Sequence, residues 1–232
     1  MSRRAAVCAA LLLAAKLTGC GTGEVDITNT PNVTERPTAI TARPAETAAM
    51  EQPGDMVRVV DIIPDIYTDV RYATADNFTG RVIYTDSEVY LRRSTAEKLA
   101  RVQQSLSAQG YSLCIWDGWR SRSAQLALWD ACPDERYVSN PYTGLSGHCR
   151  GNTVDITLVT LDGEPVEMPS DFDEFGALAD RDYSDASPEA AENARLLETA
   201  MESEGFKAYS AEWWHYTDSD RYDFCEELPQ DQ

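Results

Sequence analysis

Only two histidines occur in 232 residues, and the segments that hold them lie far apart along the chain. The first stands in Ser146-Gly147-His148-Cys149-Arg150-Gly151-Asn152-Thr153-Val154-Asp155, the second in Glu212-Trp213-Trp214-His215-Tyr216. Each segment reads as half of a metal site, so a fold that uses both must bring them together. Zinc sites that perform chemistry take three nitrogen or oxygen ligands from the protein and leave the fourth position to water. His148, Asp155 and His215 fill that quota, with one Zn2+ per chain as the expected cofactor. Glu212 remains as a nearby carboxylate able to accept a proton. A lone histidine is more often an ordinary polar side chain than a ligand, and it is the pairing of two matched contexts that carries the argument. Cys149 adjoins a ligand, but consecutive residues rarely both reach one metal, so a disulfide or a buried thiol is its expected role.

The composition restricts the fold to the region after about residue 54. Arg3 and Arg4 precede an apolar stretch over 5–15 that ends in Leu17-Thr18-Gly19-Cys20. A charged start, a short apolar core and a small-residue cleavage site describe an export signal, here 1–19. The stretch is too short to remain as a membrane span. Its last four residues resemble a bacterial lipobox, which implies cleavage before Cys20, lipidation of that thiol and an extracytoplasmic, lipid-anchored chain. From 20 to 54 the sequence is rich in Thr, Pro, Ala and Glu, with Pro31, Pro37, Pro44 and Pro53 spaced through it. Such a segment cannot bury enough apolar surface to offset its ordering entropy and reads as a flexible tether. The folded domain is therefore expected over 55–232.

The formal charge of −19 grows more negative once Arg3, Arg4 and Lys16 leave with the signal. A chain this acidic repels nucleic acid and anionic lipid, so nucleic acid is excluded as a partner and the membrane is reached only through a lipid on Cys20. Cys114, Cys132, Cys149 and Cys225 remain in the domain. Four cysteines allow three pairings, and sequence does not choose among them.

Within the domain, 56–61 has the alternation of a short strand. Residues 94–109 have helical spacing, with Ser94 and Glu97 placed as in a capping box and Gly110 as the stop. A buried strand follows over 111–116, then a helix over 123–129. Residues 153–161 read as a strand, with Asp162-Gly163 turning it toward 165–168 as a hairpin. A second amphipathic helix over 188–204 ends at Gly205, and 206–216 closes the domain as a strand. In a regular strand, side chains three apart point to opposite faces, so Glu212 and His215 can converge only through a local irregularity. Helices mixed with hairpin-joined strands predict an α+β fold with a central, mostly antiparallel sheet flanked by helices.

Taken together, several motifs resemble the D-alanyl-D-alanine dipeptidases of the VanX type. They are the Ser-x-His-x-x-Gly-x-x-x-Asp segment ending at Asp155, the Glu-x-x-His segment at 212–215, Tyr72-Ala73-Thr74-Ala75-Asp76-Asn77-Phe78-Thr79-Gly80 and Trp116-Asp117-Gly118-Trp119-Arg120. The resemblance implies the zinc fold shared by Hedgehog proteins and D,D-peptidases, with zinc on His148, Asp155 and His215. It implies Glu212 as base and Arg120 as the cation that steadies the oxyanion. Ser146 corresponds to a residue near the substrate's free carboxylate, and Tyr72 and Asp173 to residues near its free amine. A site that holds both ends of a small D,D-dipeptide measures length. The chain departs from the family pattern at Trp119, usually Tyr, at Ser121, usually Pro, and at Cys149, usually Ser. These departures put substrate fit in question more than chemistry. The export signal is the larger departure, because removing D-alanyl-D-alanine for antibiotic resistance is cytoplasmic work, and it favours wall turnover or nutrient recovery.

Three functions fit these residues. The first is a zinc D,D-dipeptidase acting outside the cytoplasm, the second a D,D-carboxypeptidase trimming peptidoglycan stem peptides, and the third a non-catalytic, zinc-stabilised binding lipoprotein. Glu212 argues against the third, since a structural metal needs no spare carboxylate, and Asp173 against the second. Arg120 beside Asp117 also has a plain reading as a structural ion pair.

Overall fold

The computed structural model describes residues 52 and 54–228. The expected signal at 1–19, the lipidation site Cys20 and nearly all of the expected tether lie outside the described residues. In chain order the elements are β1 (Met56–Arg58), α1 (Val59–Ile62), β2 (Tyr67–Thr68), β3 (Tyr90–Arg92), α2 (Arg93–Ser107), β4 (Tyr111–Asp117) and α3 (Arg122–Ala131), then β5 (Thr153–Thr160), α4 (Pro188–Ser203), β6 (Phe206–Tyr209) and β7 (Glu212–Asp218). Single 3-10 turns stand at Arg71–Ala73 and Gly147–Arg150. Five strands form a sheet in the order β2-β4-β5-β7-β6, while β1 and β3 pair separately. β2 runs parallel to β4 and every other neighbouring pair is antiparallel. This is the α+β, mostly antiparallel architecture that the sequence predicts.

The sheet buries one face under two helices. Val154, Ile156 and Leu158 of β5 alternate with polar residues, and Ile156 and Leu158 stand opposite Ile115 and Leu113 of β4. Leu99, Val102 and Leu106 of α2 and Ala194, Leu197 and Met201 of α4 complete this layer, all of them fully or almost fully buried. Each large apolar side chain so buried stabilises the fold by roughly 1.5–3 kcal/mol. Because side chains alternate along a strand, Asp155 and Thr157 face the other way, away from the helices. That opposite face carries the site.

Four local expectations need correction. The strand expected over 56–61 ends at Arg58, because its partner β3 supplies only three residues; the chain then makes one helical turn that buries Val59. α2 begins at Arg93 directly out of β3, and Ser94 does not cap it. Its hydroxyl is engaged with the Tyr222 hydroxyl instead. The hairpin after β5 stops at one bridge, Val159 to Pro165, since proline has no N–H to extend the ladder. The single strand expected over 206–216 is two strands, β6 and β7, turning at Ser210 and Ala211, a turn hidden by the aromatic run around it.

The expected convergence of Glu212 and His215 does come from an irregularity. Ala208 pairs with Tyr216 and Tyr209 with Glu212, so Trp213, Trp214 and His215 bulge out of the ladder with β6, while His215 keeps its pairing with β5. The turn holding His148 is fixed at its end by Gly151, whose φ of 74° is left-handed and whose N–H bonds the His148 carbonyl at 3.0 Å. A side chain there costs about 1–2 kcal/mol in backbone strain alone. Gly151→Ala is expected to lower unfolding stability by that amount in denaturant titration, and an unchanged midpoint would contradict the role assigned to this glycine.

Candidate metal centre and cleft

Three strands and one loop deliver the side chains. Asp155 on β5 pairs with Asp117 of β4 on one side and with His215 of β7 on the other, so these residues form a row across the sheet. The Gly147–Arg150 turn brings His148 over this row. Ser146 caps that turn by accepting the His148 N–H at 3.4 Å, and the residue also lines the cleft.

The donor atoms converge. One ligand atom from each of His148, Asp155 and His215 lies within 4.8 Å of the others. His148 Nδ1 lies 2.8 Å from the Gly118 carbonyl, which can only accept, so Nδ1 carries the proton and Nε2 points inward. Nε2 lies 3.3 Å from Asp155 Oδ2, and His215 Nδ1 lies 2.9 Å from Asp155 Oδ1. Asp155 Oδ1 is nevertheless buried without a hydrogen bond of acceptable geometry. An orphaned buried carboxylate oxygen between two imidazoles fits a divalent cation, and an imidazole oriented by a carbonyl is the usual outer support of a metal ligand. Burial opposes ionisation of Asp155, but the two imidazoles outweigh it and hold the carboxyl well below the usual range. Cys149 is fully buried and takes no part in this donor set.

A second layer holds Arg120. Its Nη2 donates to Asp117 Oδ2 at 2.5 Å, its Nη1 to Gln125 Oε1 at 3.1 Å and its Nε to the Tyr84 hydroxyl at 3.3 Å. A guanidinium has five N–H donors, so these three bonds leave one on each terminal nitrogen, and Arg120 lines the cleft. The ion pair with Asp117 that the sequence suggests is real, and it aims Arg120 rather than removing it from the site. The Asp117, Tyr84 and Tyr72 groups raise the Arg120 pKa well above its ordinary value, although burial works against this.

The Tyr72 hydroxyl donates to Asp173 Oδ2 at 2.6 Å. Asp173 takes a left-handed φ of 56°, an uncommon conformation for a residue with a side chain. Burial pushes its carboxyl up to about 7, and burial does the same to Glu212. Glu212 Oε2 lies 3.4 Å from His215 Nδ1.

His148, Asp155, His215, Glu212, Arg120, Ser146, Tyr72 and Asp173 all line one cavity of about 300 Å³. Glu135, Arg136, Tyr137, Ser139 and Tyr209, none of them foreseen from the sequence, line it too. The first four sit on a connection without periodicity, where nothing in the sequence signals them, and Tyr209 ends β6. Gln125 and Tyr84, the partners of Arg120, were also missed; only the fold brings them to it.

These side chains, with their spacing, match a known family model over residues 52–230, described as D-ala-D-ala dipeptidase of the peptidase M15 group. The chain belongs to the M15 D-Ala-D-Ala dipeptidase family. It is 35% identical to the D-alanyl-D-alanine dipeptidase of Escherichia coli strain K12 over 72% of this chain and 86% of that protein. With the D-alanyl-D-alanine dipeptidase of Enterococcus faecium it shares 34% identity over 67% of this chain and 87% of the relative. Among solved structures, the LdcB LD-carboxypeptidase covers 72% of this chain with 69% of its own, at 19% identity and a TM-score of 0.43. Membership makes this protein a metallopeptidase of the dipeptidase kind.

The departures from the M15 dipeptidase pattern are not in the cleft. Trp119 Nε1 donates to the Cys225 carbonyl at 2.7 Å, Ser121 Oγ caps α3 by accepting the Ala124 N–H at 3.2 Å, and the Cys149 carbonyl accepts the Cys225 N–H at 2.8 Å. None of the three lines the cavity; Trp119 and Cys149 bear on packing of the C-terminal segment and Ser121 on the start of α3. The Asp117–Arg120 pair is the part of the site most exposed to test. Removing one partner of a buried ion pair strands the other, at a cost of about 3–5 kcal/mol. Asp117→Asn is therefore expected to lose stability on that scale by denaturant unfolding, while a loss under ~1 kcal/mol would show that Arg120 does not depend on Asp117.

Proposed function

We propose that this protein hydrolyses D-alanyl-D-alanine, or a closely related D,D-dipeptide, at a zinc centre held by His148, Asp155 and His215, outside the cytoplasm. The observation that carries the reading is the joint lining of one cavity by a three-donor cluster, the Glu212 carboxylate beside His215 and the Arg120 guanidinium. Relatives at about a third identity that carry the D-alanyl-D-alanine dipeptidase name support the substrate class. Bound to the three donors, zinc would supply Lewis acidity toward the scissile carbonyl and toward water.

The remaining steps belong to the chain's own residues. Glu212 accepts a proton from the attacking water at a carboxylate oxygen and returns it to the leaving amine. The two free N–H groups of Arg120 donate to the oxyanion as it forms, in a buried setting where such bonds are strong. Asp173, held by Tyr72, takes the substrate ammonium, and Ser146 contacts its carboxylate. Groups for both ends of a dipeptide in one small cavity favour dipeptides over longer chains.

Glu212→Gln keeps the shape of the base and removes its proton affinity. It is expected to retain one zinc per chain by elemental analysis and to lose at least about a thousandfold in kcat, the upper part of the range for general-base loss. Turnover near that of the parent would exclude Glu212 as base. With the parent protein, D-alanyl-D-alanine should be cleaved, chelator should abolish cleavage, and a D-alanyl-D-alanine-terminated pentapeptide should be a poor substrate. Cleavage of the pentapeptide alone would replace this reading with a carboxypeptidase, and cleavage of neither would leave a binding protein.

The support for location is the leader-like sequence at 1–19 and the Leu17-Thr18-Gly19-Cys20 tetrapeptide. In cells fed labelled palmitate, the parent chain should take up label and Cys20→Ala should not. An unlabelled parent would remove the lipid anchor from the proposal.

A further inference from the structure

The cysteines of the domain have no role in the chemistry above, yet two of them, distant in sequence, are joined through their backbones. Cys114, Cys132, Cys149 and Cys225 are all unpaired thiols. The N–H of Cys225 bonds the carbonyl of Cys149 at 2.8 Å, and peptide groups joined in this way hold their Cα atoms within the roughly 4.4–6.8 Å that a disulfide spans. We propose that Cys149 and Cys225 form a disulfide that fastens the C-terminal segment to the turn carrying His148.

The segment is already clamped in the required place. Arg150 Nη1 donates to the Tyr222 carbonyl at 2.6 Å, and its guanidinium sits 3.8 Å above the centre of the Phe224 ring. Arg92 Nη2 reaches the Asp223 carbonyl at 2.8 Å, and Trp119 Nε1 the Cys225 carbonyl at 2.7 Å. These contacts fix the backbone leading up to and at Cys225 before any sulfur bond forms, so closing it calls on rotation of the two side chains rather than on movement of the backbone. Closing it surrenders the weak contact from the Cys225 thiol to the Glu227 carbonyl at 3.2 Å and the one between the Cys149 sulfur and the Ser146 backbone. No comparable contact joins the other two: Cys114 lies on β4 against Thr157 of β5, and Cys132 ends α3.

The exposure of the two sulfurs sets the order of events. Cys225 is partly exposed and Cys149 fully buried. The Cys225 thiolate attacks one sulfur of a small-molecule or protein disulfide, releasing one thiol and leaving a mixed disulfide. The Cys149 sulfur then displaces the second thiol from Cys225. One S–S bond forms in the protein and one is lost from the donor, which takes the two electrons, and the two protons end on the released thiols. Export, as proposed above, would supply such a donor. The cross-link itself depends on neither the metal nor the peptidase chemistry.

The test uses the full chain, incubated with oxidised glutathione, blocked with an alkylating agent and digested without reductant. Mass spectrometry is expected to find a peptide joining Cys149 to Cys225, with two thiols per chain lost. Because the bond closes a long loop, reductant should lower the thermal midpoint of the oxidised parent by on the order of 10 °C and leave that of Cys225→Ser unmoved. Recovery of Cys149 and Cys225 both alkylated, or of either joined to a different cysteine, would overturn the proposal without touching the peptidase reading. The peptide map on the parent decides the matter even if the variant folds poorly.

Discussion

The site depends on strand register. Asp155 stands on a central strand with Asp117 beside it on β4 and His215 beside it on β7. A slip of one residue would send Asp155 into the layer beneath α2 and α4, where a carboxylate has no partner. Register is held by the apolar side chains on the other face, Val154, Ile156 and Leu158, which fit against Leu113 and Ile115 and exclude water. The hydrophobic face and the reactive face are thus two consequences of the same alternation. Packing on one side sets the geometry on the other.

Regular strands alone would not assemble this set of side chains. β4 shifts register between Ile115 and Asp117, and β7 bulges between Glu212 and Tyr216. A bulge adds one or more residues to one strand of a pair and re-aims the side chains beside it. The first lets Asp117 meet Asp155 and reach both Arg120 and His148. The second lets Glu212 and His215, three apart, serve the same cavity. Arg181 braces this second irregularity from outside, donating to the carbonyls of Tyr209 and His215 and to the Tyr216 hydroxyl.

What the sequence disclosed and what it concealed follow from this construction. The candidate metal donors and the carboxylate of Glu212 beside them were legible because two histidines in matched contexts are rare in this chain. The need for an irregularity at β7 was legible because spacing of three conflicts with strand alternation. The bulge at Asp117 was not, since a single carboxylate before a glycine creates no such conflict. Gln125 and Tyr84 stayed hidden for a different reason. Their value lies in reaching Arg120 across the fold, and contacts between distant residues leave no periodic mark. The β6–β7 turn was missed because Ser210 and Ala211 lie inside an aromatic-rich run that suits a strand as well as a hairpin.

The departures at Trp119, Ser121 and Cys149 acquire a common meaning only in three dimensions. Read along the chain, they flank Arg120 and His148 and so appear to threaten the site. In the fold, Trp119 and Cys149 each bond the backbone of Cys225, and the N–H of Arg122, next to Ser121, bonds the Glu226 carbonyl at 3.3 Å. Of the changed groups, the Trp119 ring lies on the C-terminal segment, the Ser121 hydroxyl caps α3 and the Cys149 thiol is buried, and none of the three residues lines the cavity. A substitution one residue from a candidate ligand is therefore no evidence of altered chemistry. The side of the backbone that it occupies decides whether substrate or scaffold feels the change, and here it is the scaffold.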